Sequence, residues 1–236
     1  MKKQRLDKFI SNQCNISRSV VRTGIRRGNA TVNGAVVRDI STNIDVDGDV
    51  ITYKGETLSY KEYVYILMNK PAGVLSAATD KSRKTVVDLV PENIKRSGLA
   101  PVGRLDKDTT GLMIITDDGD FAHDCISPKK EISKSYIAEL DGNIDDDMIE
   151  KFANGITLAD GTLCKSAVLQ RVTNNTVRVI ITEGKYHQIK RMLGVVGLGV
   201  NKLHREAIGG LRLPKDLKTG ECIEMTKSQL ETAILF

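Results

Sequence analysis

The sequence predicts an α+β protein in which a small amino-terminal domain precedes a larger domain built on a largely antiparallel sheet. Near the amino terminus, apolar residues recur twice at helical spacing, followed by a hairpin signal. Later apolar segments are short, and most of them are separated by turn residues with few helices between them. Strands that pair through short turns favour the α+β class. We expect the first domain and its linker to cover residues 1–59, and the second domain to cover residues 60–236.

The composition is that of a globular protein with an aliphatic core. Of 236 residues, 40% are hydrophobic and 28% are charged, and there is no tryptophan. No apolar run approaches the ~20 residues that span a bilayer, and the amino terminus lacks the apolar segment of a signal peptide. The four cysteines are far apart and form no Cys-x-x-Cys pair. We therefore expect reduced thiols, a cytoplasmic protein and no metal site.

The positive charge is concentrated at the amino terminus. Residues 1–38 contain nine lysines and arginines and a single acid, Asp7, which gives this segment +8 although the whole chain carries only +5. Such asymmetry predicts that the amino-terminal domain binds a polyanion.

Local spacing predicts the elements of this first domain. Leu6, Phe9 and Ile10 predict a helix over residues 5–12, and a second helix is expected over residues 18–26. Asn33-Gly34 predicts a two-residue turn. The predicted strands are 30–32, 36–38 and 49–53, and the polar segment 54–62 is predicted to be a linker.

Arginines form one face of the second predicted helix. Arg18, Arg22 and Arg26 recur every four residues, and Arg27 follows directly. Basic side chains on one helix can neutralise nucleic-acid phosphates, whereas the alternative is a solvated helix face. Because no acids are interleaved with these arginines, we favour phosphate binding.

The second domain is predicted to be mostly strands. Helices are expected over residues 85–89, 145–154 and 187–196. Strands are expected over residues 63–68, 113–115, 133–140, 167–171, 176–182, 201–205 and 221–225.

One stretch of the second domain has the composition of a reactive site. Arg104, Asp106 and Asp108 lie between two glycines, directly before an apolar run that predicts a buried strand. We take Asp106 as the reactive group; the alternative is a loop acid that caps a turn. The Asp-x-Asp-x-Thr pattern also occurs in phosphotransfer sites. That arrangement normally has the apolar strand before the first aspartate, and here the strand follows it.

The amino-terminal motifs resemble the S4 RNA-binding domain over about residues 3–52. The resemblance implies binding to structured RNA through the two helices and the hairpin. It rests on Arg5-Leu6-Asp7-Lys8-Phe9-Ile10, Ser17-Arg18, Arg26-Arg27-Gly28, Val32-Asn33-Gly34 and Asp47-Gly48-Asp49.

Further motifs, in this order and over nearly the whole chain, resemble the RsuA family of pseudouridine synthases. They are Asn69-Lys70-Pro71-x-Gly73, Gly103-Arg104-Leu105-Asp106-x-Asp108-Thr109-x-Gly111-Leu112, Lys134-x-Tyr136, Glu183 to Met192 and Leu203-His204-Arg205-x-x-Ile208-Gly209. The resemblance implies an isomerase that converts a uridine of 16S ribosomal RNA to pseudouridine, without a cofactor. Two alternatives stay open: a synthase of the same family acting on 23S ribosomal RNA, and a non-catalytic RNA-binding or ribosome-assembly protein. We expect a monomer.

The same resemblance implies roles for individual residues. Asp106 would be the nucleophile, acting through a covalent or a glycal intermediate, and Tyr136 would stack on the uracil. Lys190 would keep Asp106 ionised, Arg104 would fill the gap left by the extruded uridine, and Leu193 would pack against the flipped base. The alternatives are purely structural roles: an ion pair between Arg104 and an acid, positions in the core for Tyr136 and Leu193, and a solvated side chain for Lys190. Three further cations are expected to contact phosphates, namely Lys70, Lys185 and Arg191.

Overall fold

The computed structural model describes residues 2–235 and divides into two units. The first unit is the chain up to Tyr63 together with Glu92–Leu99, and the second is Val64–Pro91 together with the chain from Ala100 onward. Within the described residues, none of the helices has the length and apolar composition needed to cross a membrane.

The first unit packs two helices against small antiparallel sheets. Leu6, Phe9 and Ile10 of the first helix and Val21 and Ile25 of the second are buried in one core, as their spacing predicts. The elements are β1 (Lys3–Arg5), α1 (Leu6–Cys14), α2 (Arg18–Arg26), β2 (Ala30–Val32), β3 (Ala35–Val37), β4 (Asn43–Asp45), β5 (Ile51–Tyr53) and β6 (Glu56–Leu58).

Turn residues set the pairing in the four-stranded sheet, whose order is β3-β2-β5-β6. Asn33 and Gly34 both have positive φ, as a two-residue hairpin turn requires. The prediction of a linker over residues 54–62 is wrong for 56–58, because Lys54 and Gly55 make a second such turn and β6 returns along β5. The short β1–β4 pair was not predicted, since three polar residues give no alternating signal.

A nine-stranded mixed sheet forms the second unit. The central order is β11-β12-β10-β13-β9-β7-β15, with β8 paired to β9 and β14 paired to β13. Every pairing is antiparallel except β9 with β13, so the predicted α+β class is confirmed. The strands are β7 (Tyr65–Lys70), β8 (Ala100–Pro101), β9 (Thr110–Thr116), β10 (Lys134–Leu140), β11 (Val168–Arg171), β12 (Thr176–Ile181), β13 (Val200–Ile208), β14 (Leu211–Arg212) and β15 (Cys222–Met225).

Helices and short 3₁₀ turns complete the second unit. They are a 3₁₀ turn (Val87–Leu89), α3 (Gly119–Ile126), a 3₁₀ turn (Pro128–Lys130), α4 (Asp146–Asn154), α5 (Gln188–Val195) and α6 (Lys227–Leu235). The sequence predicted neither α3 nor α6. Asp118 caps α3 by accepting a hydrogen bond from the Phe121 amide at 3.0 Å, and it also binds Tyr65 and Lys227. This one carboxylate therefore connects β7, α3 and α6.

Close contact between β9 and β13 brings the site together. Gly111 lies opposite Arg205 in the parallel pair and has φ of 104°. A Cβ atom at position 111 would lie 2.3 Å from the Arg205 carbonyl oxygen. Only glycine therefore allows β9 to follow directly from the loop at residues 102–109.

Candidate active site

Asp106 lies on the loop at residues 102–109, which connects β8 to β9 and is called the Asp106 loop below. On one side of Asp106, Ser76 accepts from the Leu105 amide at 3.0 Å and donates to the Leu105 carbonyl at 2.8 Å. On the other side, the Thr109 amide donates to the Asp106 carbonyl at 3.1 Å. The backbone is thus fixed on both sides of the carboxylate.

A fully buried lysine donates hydrogen bonds to carbonyls of the same loop. The Lys70 ammonium donates to the carbonyls of Thr109 at 2.8 Å, Asp106 at 3.2 Å and Lys107 at 3.3 Å, as well as to that of Pro71 at 3.0 Å. Burial lowers the pKa of Lys70 to about 8. The expectation that Lys70 contacts phosphate is therefore wrong, because its buried ammonium donates to backbone carbonyls of the protein.

Four of the predicted site residues meet at one open cavity of about 80 Å³. Asp106 and Arg104 come from the loop, Tyr136 from β10 and Lys190 from α5. The lining residues are Arg104, Leu105, Asp106, Thr109, Tyr136, Ile181, Gly184, Lys185, His187, Gln188, Ile189, Lys190 and Leu203. Residues far apart in sequence thus form one concave site.

The Asp106 carboxylate lies between two basic side chains. Its Oδ1 is 3.4 Å from His187 Nε2, and its Oδ2 is 3.7 Å from Lys190 Nζ. The side chain is 25% exposed, so it is accessible from the cavity while it remains partly shielded from bulk water. Such a group is placed to act on a bound molecule.

Lys190 is shared between two acids. Its ammonium lies 2.7 Å from both carboxylate oxygens of Asp108, which is closer than it lies to Asp106. The Lys190 hydrogen bond lowers the pKa of Asp108. Lys190 is therefore bound by protein groups, and the alternative of a solvated lysine is excluded.

Tyr136 forms part of the cavity wall with 8% of its surface exposed. It lies opposite Val179 and Arg205 in the sheet. Ile181, Ile189 and Leu203 supply the apolar wall. Leu193 is fully buried and is not part of this wall, because α5 turns it toward the core.

The remaining cations differ in their surroundings. Arg104 is exposed at the cavity, and the nearby acid Asp108 is bound by Lys190 instead. Lys185 and Arg191, which were expected to contact phosphates, form ion pairs with Glu183 and Asp160. Of the cations around the cavity, Arg104 is thus the one directed to solvent without an ion pair among the described residues.

In the first unit, the predicted arginine row is organised by a buried acid. The Asp7 carboxylate is fully buried and accepts hydrogen bonds from Arg22 at 2.8 Å, Arg18 at 3.0 Å and Arg5 at 3.1 Å. Burial opposes ionisation, but these three guanidinium groups hold the pKa of Asp7 at about 2. Arg26 and Arg27 are exposed and have no ion pair among residues 2–235. Only part of the row is therefore free.

Two contacts escaped the sequence analysis. His187, to which the sequence analysis gives no role in the site, approaches Asp106 to 3.4 Å; its position three residues before Lys190 was the available signal. Asp7 partners Arg18 and Arg22 from another helix, and no local spacing encodes that contact.

Family models match both parts of the chain. The model described as RNA pseudouridylate synthase matches residues 64–194, and the S4 domain model matches residues 4–51.

Relatives are similar over nearly the whole length. The Escherichia coli K12 protein named ribosomal small subunit pseudouridine synthase A is 39% identical over 232 residues, covering 98% of this chain and 100% of the relative. A Bacillus subtilis protein named uncharacterized RNA pseudouridine synthase YtzG is 38% identical, covering 96% of both chains. A solved structure titled crystal structure of pseudouridylate synthase has a TM-score of 0.68 at 34% identity, covering 98% of this chain and 99% of the other.

The Asp7 contacts predict a pH-dependent contribution to stability. Asp7→Asn should lower the free energy of unfolding by about 2 kcal/mol at pH 7, because charged hydrogen bonds to three arginines are lost. Since the folded-state pKa of Asp7 is depressed from 3.8 to about 2, the difference should shrink as pH falls through this range. Urea unfolding at several pH values measures it.

The exposed Asp47 provides the matched control. Asp47→Asn should leave stability unchanged. An Asp7→Asn protein as stable as the wild type at pH 7 would show that the three arginines do not depend on this carboxylate.

Proposed function

The chain belongs to the RNA pseudouridylate synthase family and carries an S4 domain, and we propose that it converts one uridine of 16S ribosomal RNA to pseudouridine. The convergence of Asp106, Tyr136 and Lys190 on one cavity carries the proposal. The name of the Escherichia coli relative, which matches over its full length, supports the small-subunit RNA as substrate.

We assign the nucleophile to Asp106. Its ionised carboxylate attacks or stabilises the anomeric carbon of the ribose while the bond from that carbon to uracil N1 breaks. The detached base turns, and a carbon–carbon bond forms between the same ribose carbon and uracil C5 while any bond from that carbon to the Asp106 carboxylate breaks, so the carboxylate is regenerated. The C5 proton leaves and N1 gains a proton, so the product is an isomer of the substrate and needs no cofactor.

Neighbouring side chains complete this assignment. Lys190 and His187 lie beside opposite oxygens of the Asp106 carboxylate, at 3.7 Å and 3.4 Å. Tyr136 offers a ring against which the uracil stacks while it turns. Ile181 and Ile189 keep water from the other side of the base.

Access to the ribose requires that the uridine leave its helix, because the reacting atoms are buried in a base-paired stack. Arg104 lies at the cavity with an exposed side chain. We propose that Arg104 fills the gap that the extruded uridine leaves in the RNA helix. A guanidinium plane suits this role, since it both stacks on bases and binds phosphate.

RNA affinity is assigned to the first domain, residues 1–59, and isomerisation to residues 60–236. Arg18, Arg22, Arg26 and Arg27 supply positive charge on one helix of the S4 domain. Because the proposed substrate is ribosomal RNA, we place the protein in the cytoplasm, where it acts as a monomer.

Pseudouridine mapping of ribosomal RNA tests the proposal. Cells lacking the gene should lose one pseudouridine in 16S RNA, and the wild-type gene should restore it. The Asp106→Asn gene should not, because an amide lacks the charge and nucleophilicity of the carboxylate; we expect a rate loss of about 10³-fold or more. Asp120→Asn, an exposed acid outside the cavity, is the control.

Each other outcome identifies an alternative. Loss of a pseudouridine from 23S RNA would mean that 23S RNA, and not 16S RNA, is the substrate. Unchanged pseudouridines in both RNAs would favour a non-catalytic assembly role. Restoration by Asp106→Asn would remove Asp106 from the reaction.

The buried Lys70 predicts a rate limit at high pH. As pH rises through about 8, Lys70 loses a proton and has two donors instead of three for the loop carbonyls, so kcat should fall. Between about pH 8 and 10.5 the unfolded chain binds more protons at Lys70 than the folded chain does, so the contribution of Lys70 to the free energy of unfolding rises with pH. Unfolding is therefore not the cause of the fall in kcat. A kcat profile measures the fall.

Variants separate Lys70 from other lysines. Lys70→Met should have a low kcat without the fall near pH 8, and Lys107→Met, an exposed lysine of the same loop, should retain it. A Lys70→Met profile that still falls near pH 8 would assign the transition to another group.

The exposed arginines predict how salt affects RNA affinity. Arg26→Ala with Arg27→Ala should weaken binding of a 16S transcript, and the slope of log affinity against log salt should flatten by about two. Arg83→Ala with Arg171→Ala removes two arginines that pair with Asp80 and Asp146, and it should leave the slope unchanged. Equal slopes for all proteins would contradict phosphate binding by α2.

A further inference from the structure

The most exposed aromatic side chain of the described residues lies beside the cavity. Tyr186 is 76% exposed, and its ring stacks on His187 with 3.8 Å between ring centroids and 18° between planes. His187 has a left-handed backbone at φ 48°, an uncommon conformation for a residue other than glycine. One face of the Tyr186 ring is therefore covered by His187, and the other is free.

Hydrogen bonds hold the segment that carries this ring. Gln188 is buried, accepts from the Lys185 amide at 2.9 Å and donates to Glu183 at 2.7 Å. Arg191 donates to the Tyr186 carbonyl at 3.3 Å. Because the backbone is held on both sides, the protein segment loses little conformational entropy when a group stacks on Tyr186.

Contacts connect this ring to the proposed nucleophile. His187 lines the cavity and approaches Asp106 with its Nε2 at 3.4 Å, while its ring face carries Tyr186. Lys185 and Lys190 border the same cavity but pair with Glu183 and Asp108, so the exposed Arg104 is the lining cation without an ion pair among the described residues. A nucleotide joined to one held in the cavity would thus meet an aromatic face close to the site.

We propose that the free face of Tyr186 stacks on the nucleobase of a nucleotide next to the target uridine. This inference rests on the proposed function, because it concerns the same RNA. When a uridine leaves its helix, the adjacent base loses a stacking neighbour. A fixed aromatic ring replaces that neighbour, and stacking tolerates any base because every base has a π face.

RNA affinity tests the role of the ring. In an Asp106→Asn background, which prevents turnover, Tyr186→Ala should weaken binding of a 16S transcript about tenfold. Tyr186→Phe should restore the affinity because it keeps the ring. Tyr63→Ala removes a tyrosine that is 40% exposed and lies outside the cavity lining, and it serves as the control.

Fluorescence tests the contact itself. The chain has no tryptophan, so Tyr186→Trp introduces a single reporter. Its emission should be quenched when the 16S transcript binds, because the indole then stacks on a base. Tyr63→Trp should show no such change.

Results of two kinds would overturn the inference: equal affinity of Tyr186→Ala and its parent, or an unquenched Tyr186→Trp in an RNA-bound protein. An equal defect in Tyr186→Phe would assign the effect to the hydroxyl group. These readouts need no chemistry, so a wild-type protein that forms no pseudouridine would contradict the proposed function while the stacking is still measured.

Discussion

A single buried ammonium group holds the Asp106 loop, and the geometry of the site depends on it. Lys70 donates to three carbonyls of that loop from a position without solvent access. Hydrogen bonds from a charged donor are stronger than neutral ones, and they hold backbone that has no ladder partner. Burial disfavours the charged ammonium and lowers the pKa of Lys70 to about 8. The carbonyls of this loop thus have hydrogen-bond donors although the loop lies outside the sheet.

The charged groups around Asp106 leave its carboxylate oxygens without a close hydrogen bond from Lys190. Lys190 binds Asp108 at 2.7 Å and approaches Asp106 only to 3.7 Å. His187 approaches the other oxygen of Asp106 at 3.4 Å. Asp108 thus positions the Lys190 ammonium beside Asp106. The same principle operates in the S4 domain, where the buried Asp7 positions Arg18 and Arg22 with their charges partly exposed.

Most elements were predictable because their periodicity is local. The helix at Arg18–Arg26 and the strand at Ala30–Val32 were predicted with their observed bounds. By contrast, α3 depends on a cap from Asp118 and on packing beneath α6, and neither leaves a clear pattern. At the site, motif order predicted that Asp106, Tyr136 and Lys190 belong together. It could not predict that Lys70 faces inward, that His187 reaches Asp106, or that Leu193 faces the core, since each depends on tertiary packing.

We propose that the carboxylate of Asp106 meets the sugar of a uridine removed from its helix. A crystal structure of the Asp106→Asn protein bound to RNA tests this contact directly. We expect a uridine in the cavity, stacked on Tyr136, with its anomeric carbon about 3–3.5 Å from the residue 106 side chain. A target uridine still paired in its helix, or bound away from residue 106, would contradict it.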